Sequence, residues 1–426
     1  PRDTEEVASL PAVVDSDSFE SFPSELSEFP RRSSFTHSEY GMARRYRTPA
    51  RSAGKHRMPF RRGRPRLPTM RVMIAPDSFG DTLTAAAAAD AIARGWASVR
   101  ETDELELAPQ SDGGPGFVEV LASRIGTVQF ADVDGPHGNP VRAQWLLDGT
   151  AAYIESAQAC GLHLLDGPPT PLSALKASSY GVGQLLGAAL DAGARTVFVG
   201  LGGSSCSDGG RAMIRALGGL GSAVARLSDI DLVAASDVEN PLLGDVGAAR
   251  VFGPQKGADE DTVARLEESN SDWAAVLSAA GHDVADRPGA GAAGGLGAAL
   301  FALGGRQLPG AVVVAERTGQ QELLDSVDLV LTGEGKFDSQ SLRGKLVTRI
   351  AAAGGATGLD TIVLAGQVTL TEDELDSAGI SAAHSITEFA GSVELAMSDA
   401  ANQLEQLAAR VAADVADSAV QPRRRA

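Results

Sequence analysis

The chain has 426 residues, 43% of them hydrophobic and 22% charged, with 55 acidic against 37 basic side chains and a net charge of −18. That length exceeds one ordinary domain, the composition is globular, and the acidic balance argues against nucleic acid as a partner of the folded part. No apolar run reaches the roughly 18 residues of a membrane span. Cys160 and Cys206 give no disulfide framework, so no membrane partner and a reducing cytoplasm are expected.

Residues 1–69 are rich in Ser, Pro and Arg without hydrophobic periodicity, and are expected to be a disordered extension before a folded part starting at Met70. Arg71–Pro76 predicts a first strand, ending in Asp77-Ser78-Phe79-Gly80. An alanine-rich helix to Trp96 follows, then a strand at Leu105–Pro109. Strand, polar loop and helix in alternation predict an open parallel sheet, whose ligands sit at the strands' carboxyl ends.

Past Gly126 the pattern changes. Val128–Val133, Val141–Leu147 and Ala151–Ser156 are close-spaced and separated by Gly-Pro and Asp-Gly turns, which predicts antiparallel pairing. A helix at Tyr180–Ala192, strands at Thr196–Leu201 and Asp231–Ala235, and a helix at Thr262–Leu277 come next. Strands return at Asp328–Thr332, Thr361–Ala365 and Ala382–Ile386, and a helix from Val393 to about Val415 closes the chain. The expected fold class is α/β in two domains. A Rossmann-like parallel-sheet domain takes residues 70–126 and 305–418, a mixed-sheet domain is inserted at 127–304, and 419–426 is a tail.

Ser-Asp-Gly-Gly occurs twice, at 111–114 and 207–210, each time after a strand. Glycine-rich loops let backbone N–H groups close around an anion, and an aspartate there supplies a hard ligand for Mg²⁺ or a proton acceptor. Asp112 and Asp208 are therefore candidate catalytic and metal-binding residues. In the second loop Gly202, Gly203, Ser204, Ser205 and Gly209 are candidates for cradling a nucleotide phosphate, joined by Gly294 and Gly295 of the segment Pro288–Gly297. The bland alternatives are tight turns and helix caps. Asp77 and Ser78 at the first strand end either meet ligand or cap the next helix.

Glu334, Lys336 and Asp338, with Arg343 and Lys345, crowd both charges onto one loop. Phosphoryl transfer uses such residues, with Lys336 as the catalytic cation and the others on the substrate, although a solvated loop is charged too. Lys256 either reaches an anion or caps a loop. Cys206 reads as a packed thiol rather than a nucleophile. A Walker A element and a Rossmann dinucleotide fingerprint are absent, which disfavours P-loop and NAD-linked readings.

Taken in order, the segments IAPDSF, the first DGG, GLGGSS with its DGG, ASDVENPLLG, FGPQKGA, PGAGAAGGLG, TGEGKFDSQSLRGK and LAGQV resemble the bacterial glycerate kinase family over roughly Met70 to Leu407. The resemblance implies a two-domain fold and phosphorylation of D-glycerate by ATP and Mg²⁺, with 2-phosphoglycerate as the favoured product. A homodimer is compatible with it. The chain departs from the family pattern at Gly80-Asp81, where Lys-Gly is usual, at Pro115 and Phe117, and at Ser205-Cys206-Ser207. Two other readings stay open: a kinase for another small hydroxy acid, and a silent nucleotide- or sugar-acid-binding regulator.

Overall fold

The computed structural model describes residues 68–342 and 346–420. The expected extension therefore lies almost wholly outside the described residues, as do Arg343, Lys345 and the last six residues.

The chain enters as β1 (Arg71–Pro76), runs through the helix Ala85–Val99 and returns as β2 (Glu104–Leu107). Val72 to Pro76 are buried without alternation, the signature of a strand covered on both faces. The helix starts where the Ala87 N–H donates to the Thr84 hydroxyl, a side-chain cap for one of its unpaired first-turn amides. Its alanines and Trp96 pack beneath β1.

A second sheet follows, from β3 (Thr127–Asp134), β4 (Pro140–Asp148), β5 (Ala151–Glu155), β6 (Thr196–Gly200), β7 (Asp231–Ala235) and β8 (Arg306–Leu308), in that spatial order. The β3–β4 and β4–β5 pairs are antiparallel and the remaining pairs parallel. The chain then rejoins the first sheet as β9 (Leu329–Gly333). A short ribbon of β10 (Lys336–Phe337) and β12 (Gln367–Val368) flanks β11 (Asp360–Ala365) and β13 (Ala382–Ser385). The first sheet is wholly parallel in the order β13-β11-β9-β1-β2. The expected class is the observed one: α/β in two domains, one parallel and one mixed.

Side chains pack across the expected boundaries at 126/127 and 304/305. Phe117, Val118, Val120 and Leu121 of the helix Phe117–Ala122 bury against Leu146, Tyr153, Phe198 and Val233 of the second sheet. Val313 and Val314 of the helix Gly310–Thr318 join that layer, and β8 pairs with β7. The sequence does not show this, because the apolar faces of helices of six and nine residues are too short to show a period. The closing helix also differs from its expected form. It is two helices, Val393–Ser398 and Ala400–Val420, preceded by a short helix at Ile386–Ala390.

Candidate active site

Only β4 runs against its neighbours in the second sheet, so β3, β5, β6, β7 and β8 bring their carboxyl ends to one edge. Asp134, Glu155, the loop Leu201–Gly210 and Ser236-Asp237 therefore share that edge, the usual ligand side of such a sheet.

The two repeated loops meet through their glycines rather than their aspartates. A Cβ placed on Gly202 would lie 2.4 Å from the Gly114 Cα, so the approach of the two backbones requires glycine. In the first loop Asp112 is exposed, and its Oδ1 accepts the Gly114 N–H at 3.0 Å. Glu155, at the end of β5, accepts the N–H groups of Gly116 at 3.0 Å and Val118 at 3.3 Å. It is 1% exposed, and burial raises its carboxyl to about 7 against the lowering by those N–H groups and Gln158. Sequence reasoning missed Glu155. An acid closing an otherwise apolar strand was the available signal.

In the second loop Asp208 is fully engaged in structure. Its Oδ2 accepts the N–H of Ser179 at 3.0 Å and the hydroxyl of Ser179 at 2.8 Å, and its Oδ1 accepts the Gly210 N–H at 3.1 Å. Ser204 and Ser205 also face protein. The Ser204 hydroxyl accepts from Lys256 Nζ at 3.1 Å, and the Ser205 hydroxyl donates to the Cys160 carbonyl at 2.9 Å. Lys256 donates to the Cys206 carbonyl as well, and burial pushes its ammonium pKa down while the Cys206 and Cys160 thiols and Asp208 oppose. The two buried thiols lie 3.6 Å apart.

The Gly209 N–H donates to the Gly294 carbonyl, and the Trp273 indole to the Gly209 carbonyl, both at 3.0 Å. Ala293, Gly294 and Gly295 all take positive φ, and a Cβ on Gly294 would lie 2.0 Å from the Cys206 carbonyl oxygen. The segment Pro288–Gly297 is thus a wall packed behind the second loop. Gly203 lies at the rim, where a Cβ would meet Pro115.

Across the seam, Asp237 of the β7 edge pairs with Arg349 of the helix Leu346–Ala356, Oδ1 to Nη2 3.7 Å. Burial raises the Asp237 carboxyl, Arg349 opposes, and the negative charge of Asp112 adds to the rise. A carboxylate and a guanidinium thus meet between the lobes, within reach of the charge of Asp112. Sequence reasoning had passed over Asp237 as a residue after a strand and missed Arg349, because helical position alone carries no site signal.

In the first sheet Pro76 and Gly333 are register partners, which sets Asp77 and Glu334 side by side at the ends of β1 and β9. Asp77 Oδ1 accepts the Ser78 N–H at 2.7 Å. Lys336 lies on the rim, 59% exposed and 3.1 Å from Asp338. The Gln340 N–H and then Lys336 hold the Asp338 carboxyl below its ordinary value.

An open parallel sheet with an inserted mixed-sheet lobe, and acidic and glycine-rich loops gathered on one edge, defines a two-lobed α/β enzyme. The family model described as the glycerate kinase family matches residues 72–221 and 219–416. The chain is 36% identical over 376 residues to a glycerate 2-kinase of Escherichia coli, covering 82% of this chain and 98% of that one. An uncharacterised protein of Mycobacterium bovis is 57% identical over 359 residues, 84% of this chain and 94% of its own. A crystal structure of a Salmonella typhimurium protein provisionally assigned as glycerate kinase 2 superposes with TM-score 0.66 at 32% identity, covering 82% and 99% of the two chains. The chain belongs to the glycerate kinase family.

Proposed function

We propose that the protein transfers a phosphoryl group from ATP to D-glycerate, with Mg²⁺, and that 2-phosphoglycerate is the favoured product. The observation that carries this reading is the meeting of Asp237 and Arg349 between the lobes, where the charge of Asp112 is also felt. A hydroxyl must lose a proton as it attacks phosphorus, and a carboxylate of raised pKa is a stronger base for that proton. Asp237 takes that role. Arg349, beside it, binds the acid's carboxylate or the transferring phosphoryl group as a planar cation.

Among the described residues, no group of three or more His, Cys, Asp or Glu side chains could hold a metal by itself. A magnesium ion carried on substrate phosphates needs only one or two protein carboxylates. Asp112 and Asp237 have the oxygen chemistry to hold it; Asp208 has the same chemistry but already accepts three donors from Ser179 and Gly210. When bound, the ion would neutralise phosphate charge.

The test is ADP release by the purified chain with ATP, Mg²⁺ and D-glycerate, L-glycerate or tartronate as separate acceptors, with phosphorus NMR of the product. D-glycerate-dependent release with a signal from the 2-phosphate is the expected result. Release with only another acid would change the substrate. Silence with every acceptor, from folded protein that binds ATP, would replace the kinase by a regulator.

A further inference from the structure

Glu155 closes β5 as a buried carboxylate, and the proposed transfer leaves it without a part. Burying an acid is costly unless donors meet its oxygens. Here Oε2 accepts the Gly116 N–H at 3.0 Å and the Val118 N–H at 3.3 Å, and Oε1 accepts the Gln158 amide at 3.4 Å. Gly116 and Val118 open the helix Phe117–Ala122, whose cap residue is a glycine with no side chain to satisfy the first-turn amides. An acid 39 residues after Gly116 supplies the missing acceptor.

That helix carries the first Ser-Asp-Gly-Gly loop on its N-terminal side, and the loop has few other attachments. Its own bonds are local: the Gly113 N–H donates to the Ser111 hydroxyl, and the Gly114 N–H to Asp112. Among the described residues, the two bonds to Glu155 are the only hydrogen bonds that join residues 111–118 to the second sheet. The remaining meetings are close approaches without donors. Gly114 lies against Gly202, and Gly113 against the Ala235 carbonyl, where a Cβ would be 2.5 Å from the oxygen. Ala235 ends β7, two residues before Asp237. Contacts of that kind limit how near the loop comes; a hydrogen-bonded carboxylate keeps it from lifting away.

We infer that Glu155 is a positioning residue for the reaction, its Oε2 fastening the start of the helix Phe117–Ala122 so that the loop before it presents Asp112 at the seam. Glu155 acts through Asp112 and not on substrate. The inference rests on the kinase reading for the chemistry done there. A misplacement of about 1 Å can cost about a hundredfold in rate, so the loss of this anchor is large enough to measure.

The experiment combines steady-state kinetics with MgATP and D-glycerate and hydrogen exchange read by mass spectrometry. It uses the full chain, Glu155→Leu, Glu155→Gln, Asp112→Asn and the double variant of Glu155→Leu with Asp112→Asn. In folded Glu155→Leu, kcat should fall at least about tenfold, with both KM values within about threefold. Glu155→Gln keeps a carbonyl oxygen for the two N–H groups and should recover most of that loss. In the Asp112→Asn background the leucine should cost less than about threefold, because the group it displaces is already disabled. Exchange at residues 111–118 should quicken in Glu155→Leu and stay unchanged in the helix Tyr180–Asp191.

Either an unchanged kcat or unchanged exchange in folded Glu155→Leu overturns the inference. So does a leucine effect as large in the Asp112→Asn background as in the parent. If Glu155→Leu does not fold, Glu155→Asp, whose carboxylate stops one carbon short of the two N–H groups, takes its place with the same expected results. If the parent turns over no acceptor, the kinase reading fails, and exchange alone decides whether Glu155 holds the loop.

Discussion

Asp237 and Arg349 belong to different lobes, yet their side chains meet at 3.7 Å, with the charge of Asp112 felt at the same carboxyl. An ion pair this exposed, with each side chain about 40% accessible, contributes little to stability. Its place at the seam is what gives it a part in the proposed transfer.

Asp237→Asn should therefore lower kcat about a hundredfold or more, the range of general-base catalysis, with little change in the denaturation midpoint. Arg349→Ala should weaken the D-glycerate KM about tenfold or more. Steady-state kinetics on both variants checks this. Full activity in Asp237→Asn would remove the residue from the scheme.

Glu155 predicts a pH dependence of stability. Its folded carboxyl is raised to about 7 from an ordinary 4.5, so the folded state holds a proton that the unfolded state has lost. Unfolding free energy should fall as pH rises from 4.5 to 7, by about 3 kcal/mol from this group, and level off above. Urea titrations at several pH values should show that slope in the parent and a flatter one in Glu155→Gln.

Lys256 supplies donors to the Ser204 hydroxyl and the Cys206 carbonyl in a buried place. Lys256→Met keeps the length and removes the donor, leaving the carbonyl without this partner. A loss of about 1–3 kcal/mol in chemical denaturation is expected. An unchanged midpoint would show that the second loop does not depend on this lysine.

Gly202→Ala puts a methyl group against the Gly114 backbone. The two loops must separate, at a cost of about 1–3 kcal/mol. Because Asp112 rides on the displaced loop, activity should fall more than stability alone explains, measured as kcat on protein still folded at assay temperature.

The parallel strands were legible because buried runs such as Val72–Pro76 are uninterrupted, and the three hairpin-spaced strands because turn residues mark their ends. The site was legible as loops rather than contacts. Asp112 and the second glycine segment stood out by composition, but which atoms they face depends on residues far away in the chain. Asp208 looked like a ligand because it sits in a glycine loop, while two of its three donors come from Ser179, some thirty residues earlier in the chain. Arg349 was invisible for the same reason, since a helix residue acquires its role only when two lobes are brought together, and Glu155 gave only the faint signal of an acid closing an apolar strand.

The apolar layer shared by Phe117, Val313, Tyr153 and Phe198 fixes where the chain can be cut. A fragment trimmed to 127–304 would present bare aromatic side chains to water and lose the outermost strand of its sheet. A fragment from about 111 to 320 would take its own cover with it, along with both partners of the Gly114–Gly202 contact. The portable unit in this fold is therefore larger than the inserted stretch, and any chimera that exchanges this lobe between relatives must carry the first Ser-Asp-Gly-Gly loop with it.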